Sequence, residues 1–401
     1  MAIAKLVFAF VLLTKAWAGK NDPHVLLICL DGYRYDYTKL HQPPFIKKFA
    51  QTGVQADSLI PQFPTLTFPN IYGIATGMRA QKHGIVANKF YDPLLKKRYK
   101  LGNKESKNGY WYNGDPLWLA AQRAGLKSAS YFWVGSDVSI KGKYPTYWFP
   151  YSRKTTIPQR TKQVVEWLKL PDDKRPRLIT LYFSKVDTMA HYYGIDHPKL
   201  IHAVHEIDRN LKSMFKEIEK LGINLNSFIV SDHGMHEMEE KNLIFLSDII
   251  DLDGLHIEGR GPMVNIYVDD PVLKRQVYKK LKTDHRFQTY LKSNFPEKFA
   301  FKKSRRAGDI IILANPYNYV RPTKPLPTSK WKFKKAMHGY DPSIKEMHGI
   351  FYAKGPMLKK GAKIPPFENI HIYPFLLDLL GVPIKSNIDG DLAVLKNQLV
   401  K

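Results

Sequence analysis

A chain of 401 residues that is 44% hydrophobic and 13% aromatic is too apolar for a disordered protein and long enough for one large α/β domain or two ordinary ones. Its 62 Lys and Arg against 36 Asp and Glu leave a net charge of +26, dispersed in runs such as LLKKRYK (94–100), FKKSRR (301–306), KWKFKK (330–335) and LKKGAK (358–363). No zinc-finger, RRM or OB-type signature accompanies that charge. This argues against sequence-specific nucleic-acid reading and leaves a solvated basic surface or the steering of anionic, phosphate-bearing substrates.

In chain order, Lys5 precedes the apolar run Leu6–Leu13, and Ala16-Trp17-Ala18 is a small-x-small cleavage site. Residues 1–18 therefore read as a secretory signal peptide, and the mature chain is expected to start near Gly19 in a secreted or periplasmic compartment. Losing Lys5 and Lys15 takes the charge from +26 to +24. No later stretch approaches the roughly 20 apolar residues that span a bilayer, so no transmembrane anchor is expected in the mature chain. The single cysteine, Cys29 in VLLICL, cannot form an internal disulfide and reads as core. With no Asn-x-Ser/Thr acceptor beside it, the sequence leans towards a bacterial exported protein over an animal ectoenzyme.

Short apolar runs alternate with helical patterns, the rhythm of a parallel sheet covered on both faces. Strands are expected at His24–Leu30, Lys127–Trp133, Leu178–Phe183, Ser227–Val230, Asp309–Ala314 and Gly349–Ala353. Asp115-Pro116 opens a helix that Gly125 closes. The clearest helix is His197–Leu221, with Leu200, Ile201, Val204, Ile207, Leu211, Met214, Phe215, Ile218 and Leu221 at three- and four-residue steps and expected in the core. Residues 235–305 are irregular and charge-rich, with a short helix at Pro271–Leu281, and read as an insertion or lid within a single domain, 19–401.

Three strands run into potential metal ligands. VLLICL is followed by Asp31-Gly32, LITLYF leads to Asp187 with His191 one helical turn on, and SFIVS runs into Asp232-His233-Gly234; His338 follows in AMHGYDP. An aspartate after a strand is more often a cap, and a lone histidine more often a satisfied polar group. Carboxylates and imidazoles converging from independent strand ends suit a two-metal site, and mixed O/N ligands favour zinc over magnesium or calcium. Thr67, in PQFPTLTFPN, reads by itself as a helix cap.

The segments LDGYRYDY, PTLTFPNIY, HGIVANKFYDP, GDPLWLAAQRAG, FWVGSDV, YFSKVDTMAHYYG, VSDHGM, AGDIIILA, HGYDPSIKEMHGIFYAKGP and FENIHIYPFLLDLLG occur in this order. Together they resemble the nucleotide pyrophosphatase/phosphodiesterase family of the alkaline phosphatase superfamily, over about residues 24–385. The resemblance implies an alkaline-phosphatase-like, mostly parallel sheet with helices on both faces. It also implies two zinc ions, one held by Asp31, Thr67, Asp232 and His233 and the other by Asp187, His191 and His338. Thr67 would be the covalent nucleophile, and Asn88 a hydrogen-bond donor to a non-bridging phosphate oxygen. Phe68 would stack one face of a base, with Tyr147 on the opposite face and Tyr151 as the alternative.

Lys185-Val186-Asp187 departs from the family's Glu-Pro-Asp, and His348-Gly349 stands where many members have proline after the histidine; these changes bear on cleft charge and leaving-group preference. The implied reaction is cleavage of nucleotide pyrophosphates and phosphodiesters to nucleoside 5′-monophosphates. The alternatives are a lysophospholipid or glycerophosphocholine phosphodiesterase and a non-catalytic polyanion-binding protein.

Overall fold

The seven residues HVLLICL offer no alternation of polar and apolar positions, and they form a strand, His24–Leu30, buried along its whole length. Such a run belongs at the centre of a sheet covered on both sides. In the computed structural model, which describes residues 22–326, 328–329, 331–385 and 387–400, this strand is the fifth of eight in a central sheet. The proposed leader, 1–18, lies outside the described residues.

Across the sheet the order is Ala362–Ile364, Val54–Ala56, Phe351–Lys354, Leu225–Val230, His24–Leu30, Leu178–Phe183, Ser128–Tyr131 and Tyr147–Phe149. All run the same way except Phe351–Lys354, which is antiparallel to both of its neighbours. Register shows that both faces are covered. Tyr131, Leu181, Ile28 and Ile229 are paired across four strands and share one face, where Tyr131 meets Trp167 of the helix Ile157–Lys169. Phe228 projects from the other face onto Phe375 of the helix Ile372–Leu379.

The long helix spans Pro198–Glu219, capped by the His197 side chain accepting from the Lys199 amide. Leu200, Val204, Ile207, Leu211, Met214 and Ile218 are its buried stripe. Each buried side chain of this size stabilises by about 1.5–3 kcal/mol. Among the described residues no helix is long and apolar enough to cross a membrane.

One strand is placed differently from the sequence reading. The apolar run ending at Ala314 does not join the central sheet. Ile310–Ala314 lies in a separate four-stranded antiparallel sheet, between Met263–Tyr267 and Phe287–Leu291, with His256–Gly259 at the far edge. Ile311 and Leu313 pack into the main core, whereas Ile310, Ile312 and Ala314 pack into a second cluster with Val264, Ile266 and Leu281. A strand covered on both faces by two different cores has the same unbroken apolar pattern as a central parallel strand. The helix Pro271–Leu281 forms as expected, with Asp270 capping the amides of Val272 and Leu273.

Candidate metal centre and substrate cleft

Parallel pairing brings the acidic strand ends together. Cys29 pairs with Val230 and Leu30 with Phe183, so Asp31, Asp232 and the start of the helix Lys185–Tyr193 emerge side by side at the carboxyl edge. The Asp31 amide donates to Phe183 O at 2.9 Å, and the Asp187 amide to Asp31 O at 3.0 Å. Gly32, at φ +65°, permits this approach: a Cβ there would stand 2.9 Å from Asp187 Cβ.

Thr67 opens the helix Thr67–Thr76 and is buried. Its position is fixed from below by Asn70, whose Nδ2 donates to Pro64 O (3.0 Å) and Leu66 O (2.9 Å) while its Oδ1 accepts from the Gln62 amide (2.8 Å). Sequence reasoning did not single out Asn70; a wholly buried asparagine inside a helix is intelligible only once the loop it holds is visible.

The three candidate histidine ligands share one device. Nδ1 of His191 donates to Ala336 O (2.8 Å), that of His233 to Gly234 O (2.9 Å), and that of His338 to Thr65 O (2.8 Å). A carbonyl only accepts, so Nδ1 carries the hydrogen and Nε2 is the atom offered to the cluster. His233 Nε2 is 3.4 Å from Asp31 Oδ1, 3.2 Å from Asp232 Oδ2 and 3.2 Å from Thr67 Oγ1. Asp187 Oδ1 is 3.3 Å from His191 Nε2 and 3.5 Å from His338 Nε2.

Asp31 Oδ1, Asp187 Oδ1 and Asp232 Oδ2 are buried oxygens without a hydrogen-bond donor among the described residues. Burial, reinforced by the charges of Asp232 and Asp187, pushes the Asp31 carboxyl well above the usual carboxylate range. Burial together with the neighbouring His233 and His191 keeps the His338 imidazole neutral well below its ordinary value. Orphaned carboxylate oxygens facing deprotonated imidazole nitrogens fit divalent cations, which satisfy both.

Among the described residues two groups could hold a metal ion: Asp187, His191 and His338, and Asp31, Asp187 and His233, each with ligand atoms within 4.8 Å of one another. Asp187 thus stands between two neighbouring positions, while Thr67 and Asp232 adjoin the second through His233. The Tyr182 hydroxyl donates to Asp31 Oδ2, leaving Oδ1 as that carboxylate's free oxygen. Tyr182 is the penultimate residue of a strand that otherwise reads as core, and no local signal marks it.

Above this cluster opens a cleft of about 940 Å³, lined among others by Asp31, Thr67, Phe68, Asn88, Asp187, His191 and His338. Asn88 Oδ1 accepts the Phe68 amide at 2.8 Å. Tyr151 lines the cleft and Tyr147 does not. Tyr147 is the first residue of its edge strand, opposite Ala129, with its hydroxyl donating to Lys174 O at 3.0 Å. It therefore sits at the amino end of a parallel strand, whereas the ligands gather at the carboxyl ends. The basic surface also enters the cleft: Lys107, Arg153, Lys154, Arg160, Lys185 and Lys334 line it. Lys107 is paired with Asp137 and Lys185 with Glu206.

Residues 25–341 match the family model described as type I phosphodiesterase/nucleotide pyrophosphatase. The chain is 32% identical over 385 residues to ectonucleotide pyrophosphatase/phosphodiesterase family member 1 of Mus musculus, covering 92% of this chain and 42% of that protein. It is 31% identical over 377 residues to the venom phosphodiesterase of Naja atra, covering 90% of this chain and 45% of the relative. The chain thus spans less than half the length of either curated relative. A solved structure of murine ectonucleotide pyrophosphatase/phosphodiesterase 5, an inactive form in complex with AMP, superposes with a TM-score of 0.89 at 28% identity, covering 94% of this chain and all of that one.

Proposed function

The chain belongs to the type I phosphodiesterase/nucleotide pyrophosphatase family, and from that premise we propose that it is an exported two-zinc hydrolase of nucleotide phosphodiester and pyrophosphate bonds, releasing nucleoside 5′-monophosphates. The observation that carries this reading is the set of inward-facing imidazole nitrogens and orphaned carboxylate oxygens beside the Thr67 hydroxyl. Asp31, Asp232, His233 and Thr67 would hold one zinc, and Asp187, His191 and His338 the other; the mixed N/O donors suit that metal. When bound, the two ions supply positive charge that lowers the pKa of the Thr67 hydroxyl and offsets charge on the phosphorus oxygens.

Thr67 Oγ gives up its hydrogen to solvent and attacks phosphorus in line. The bond from phosphorus to the leaving oxygen breaks, and that oxygen takes a proton. Water then attacks the phosphothreonine ester, the P–Oγ bond breaks, and Thr67 regains a hydrogen as the nucleoside 5′-monophosphate departs. Asn88, anchored through Oδ1 to the Phe68 amide, has Nδ2 available to a non-bridging oxygen. Phe68 and Tyr151 supply aromatic faces for the base, a reading supported by the AMP bound to the solved relative.

The test is turnover with zinc of the nitrophenyl ester of thymidine monophosphate against nitrophenyl phosphorylcholine, by wild type and Thr67→Ala. Preference for the nucleotide is expected, with at least about a 10³-fold loss in the variant and a nucleotidyl adduct on Thr67 in acid-quenched wild type. Preference for the choline ester would discard the base clamp. No turnover of either ester would sink the enzymatic reading.

A further inference from the structure

The cations lining the cleft differ in one respect. Lys107 and Lys185 are neutralised by Asp137 and Glu206, whereas Arg153, Lys154, Arg160 and Lys334 have no carboxylate within ion-pair distance among the described residues; of these four, Lys334 rests on Tyr192, in the helix that carries Asp187 and His191. Its Nζ rests 3.6 Å from the centroid of the Tyr192 ring, which is 48% exposed. Its backbone is held beside a candidate metal ligand: the Lys335 amide donates to His191 O at 2.9 Å, and His191 Nδ1 donates to Ala336 O at 2.8 Å. Lys334 therefore flanks the group Asp187, His191 and His338, while Phe68 and Asn88 flank Thr67. A nucleotide attacked in line by Thr67 has its leaving oxygen opposite Oγ, and Lys334 is an unpaired cation lining the cleft beside His191.

We propose that Lys334, seated on the face of Tyr192, is a specificity-determining contact for a leaving group that itself carries phosphate. A free ammonium in a partly enclosed cleft forms charge-assisted hydrogen bonds with phosphate oxygens. The same placement works against quaternary ammonium substrates, since the aromatic face that would receive such a cation already holds one. This inference rests on the proposed phosphodiesterase reading and deepens it by assigning a residue to the phosphate of the leaving group. Two sources carry that chemistry: the pyrophosphate of a nucleoside triphosphate and the 5′-phosphorylated nucleotide of a dinucleotide.

Wild type, Lys334→Ala and Lys334→Arg are compared on thymidine triphosphate, the dinucleotide pTpT and the nitrophenyl ester of thymidine monophosphate, whose leaving group has no phosphate. The ratio of kcat/KM for a phosphate-bearing substrate to that for the nitrophenyl ester is expected to fall about tenfold or more in Lys334→Ala, as for loss of a hydrogen bond to a charged group, and to stay within about threefold of wild type in Lys334→Arg. A fall confined to the triphosphate assigns the contact to pyrophosphate, and one confined to pTpT assigns it to the second nucleotide. Ratios unchanged for both, with wild type active, overturn this inference alone. Wild type inactive on all three substrates overturns it together with the reading beneath it.

Discussion

Asn88 and Phe68 are joined by a 2.8 Å hydrogen bond from the Phe68 amide to Asn88 Oδ1, so the side chain proposed to meet the substrate phosphate also caps the helix that carries Thr67. The residue before that helix, Leu66, has no side-chain oxygen to do so. Asn88→Ala is expected to lower stability by about 1 kcal/mol through the lost cap and turnover by roughly 10²–10³-fold through the lost donor. Asn88→Asp keeps the acceptor for the Phe68 amide but not the NH₂ group. Its melting temperature should therefore lie nearer to wild type while its turnover falls as far. If Asn88→Asp turns over normally, the donor role is wrong.

Tyr151 and Tyr147 separate cleanly. Tyr151→Ala should raise KM for nucleotide substrates by roughly five- to 150-fold, the equivalent of about 1–3 kcal/mol of stacking. Tyr147→Ala removes a hydrogen bond to Lys174 O and should leave KM alone. Steady-state kinetics on both variants decide it, and a KM effect at Tyr147 would reverse the assignment.

Tyr182→Phe keeps the ring in its buried place but removes the donor to Asp31 Oδ2. Support of this kind for a ligating carboxylate is worth about 10–100-fold in metal affinity. Competitive zinc titration against a chelator should show such a loss, with the melting temperature of the metal-free protein little changed. Unaltered affinity would mean that the hydroxyl merely fills space.

His83 is wholly buried, with Nδ1 accepting the Ile85 amide at 3.1 Å and Nε2 3.1 Å from Pro69 O. Burial pushes its pKa down to about 3, against about 6.5 in an unfolded chain. The unfolded state therefore takes up a proton first. The stability from neutral His83 is complete above pH 6.5 and is lost as pH falls from 6.5 towards 3. Melting temperatures between pH 7 and 4.5 should fall more steeply in wild type than in His83→Gln; parallel slopes would refute the assignment.

Much of this molecule is legible locally. Apolar runs that lead into Asp31 and Asp232, the i, i+4 pair Asp187 and His191 just after a third such run, and the stripe of the helix Pro198–Glu219 all follow from short-range periodicity, and ordered motifs supplied His338, Thr67 and Asn88 as candidates. Local periodicity cannot choose a partner for a strand. The run Ile310–Ala314 looks like its central-sheet counterparts, yet it belongs to another sheet, because burial on both faces erases the alternation that would tell them apart. Which end of a strand a tyrosine occupies, that the Tyr182 hydroxyl donates to Asp31, that Asp187 belongs to both candidate ligand groups, and that Lys334 rests on Tyr192 were settled only by the tertiary structure. Each joins segments whose approach depends on strand register and packing across many residues, and side-chain chemistry along the chain carries no record of that distance.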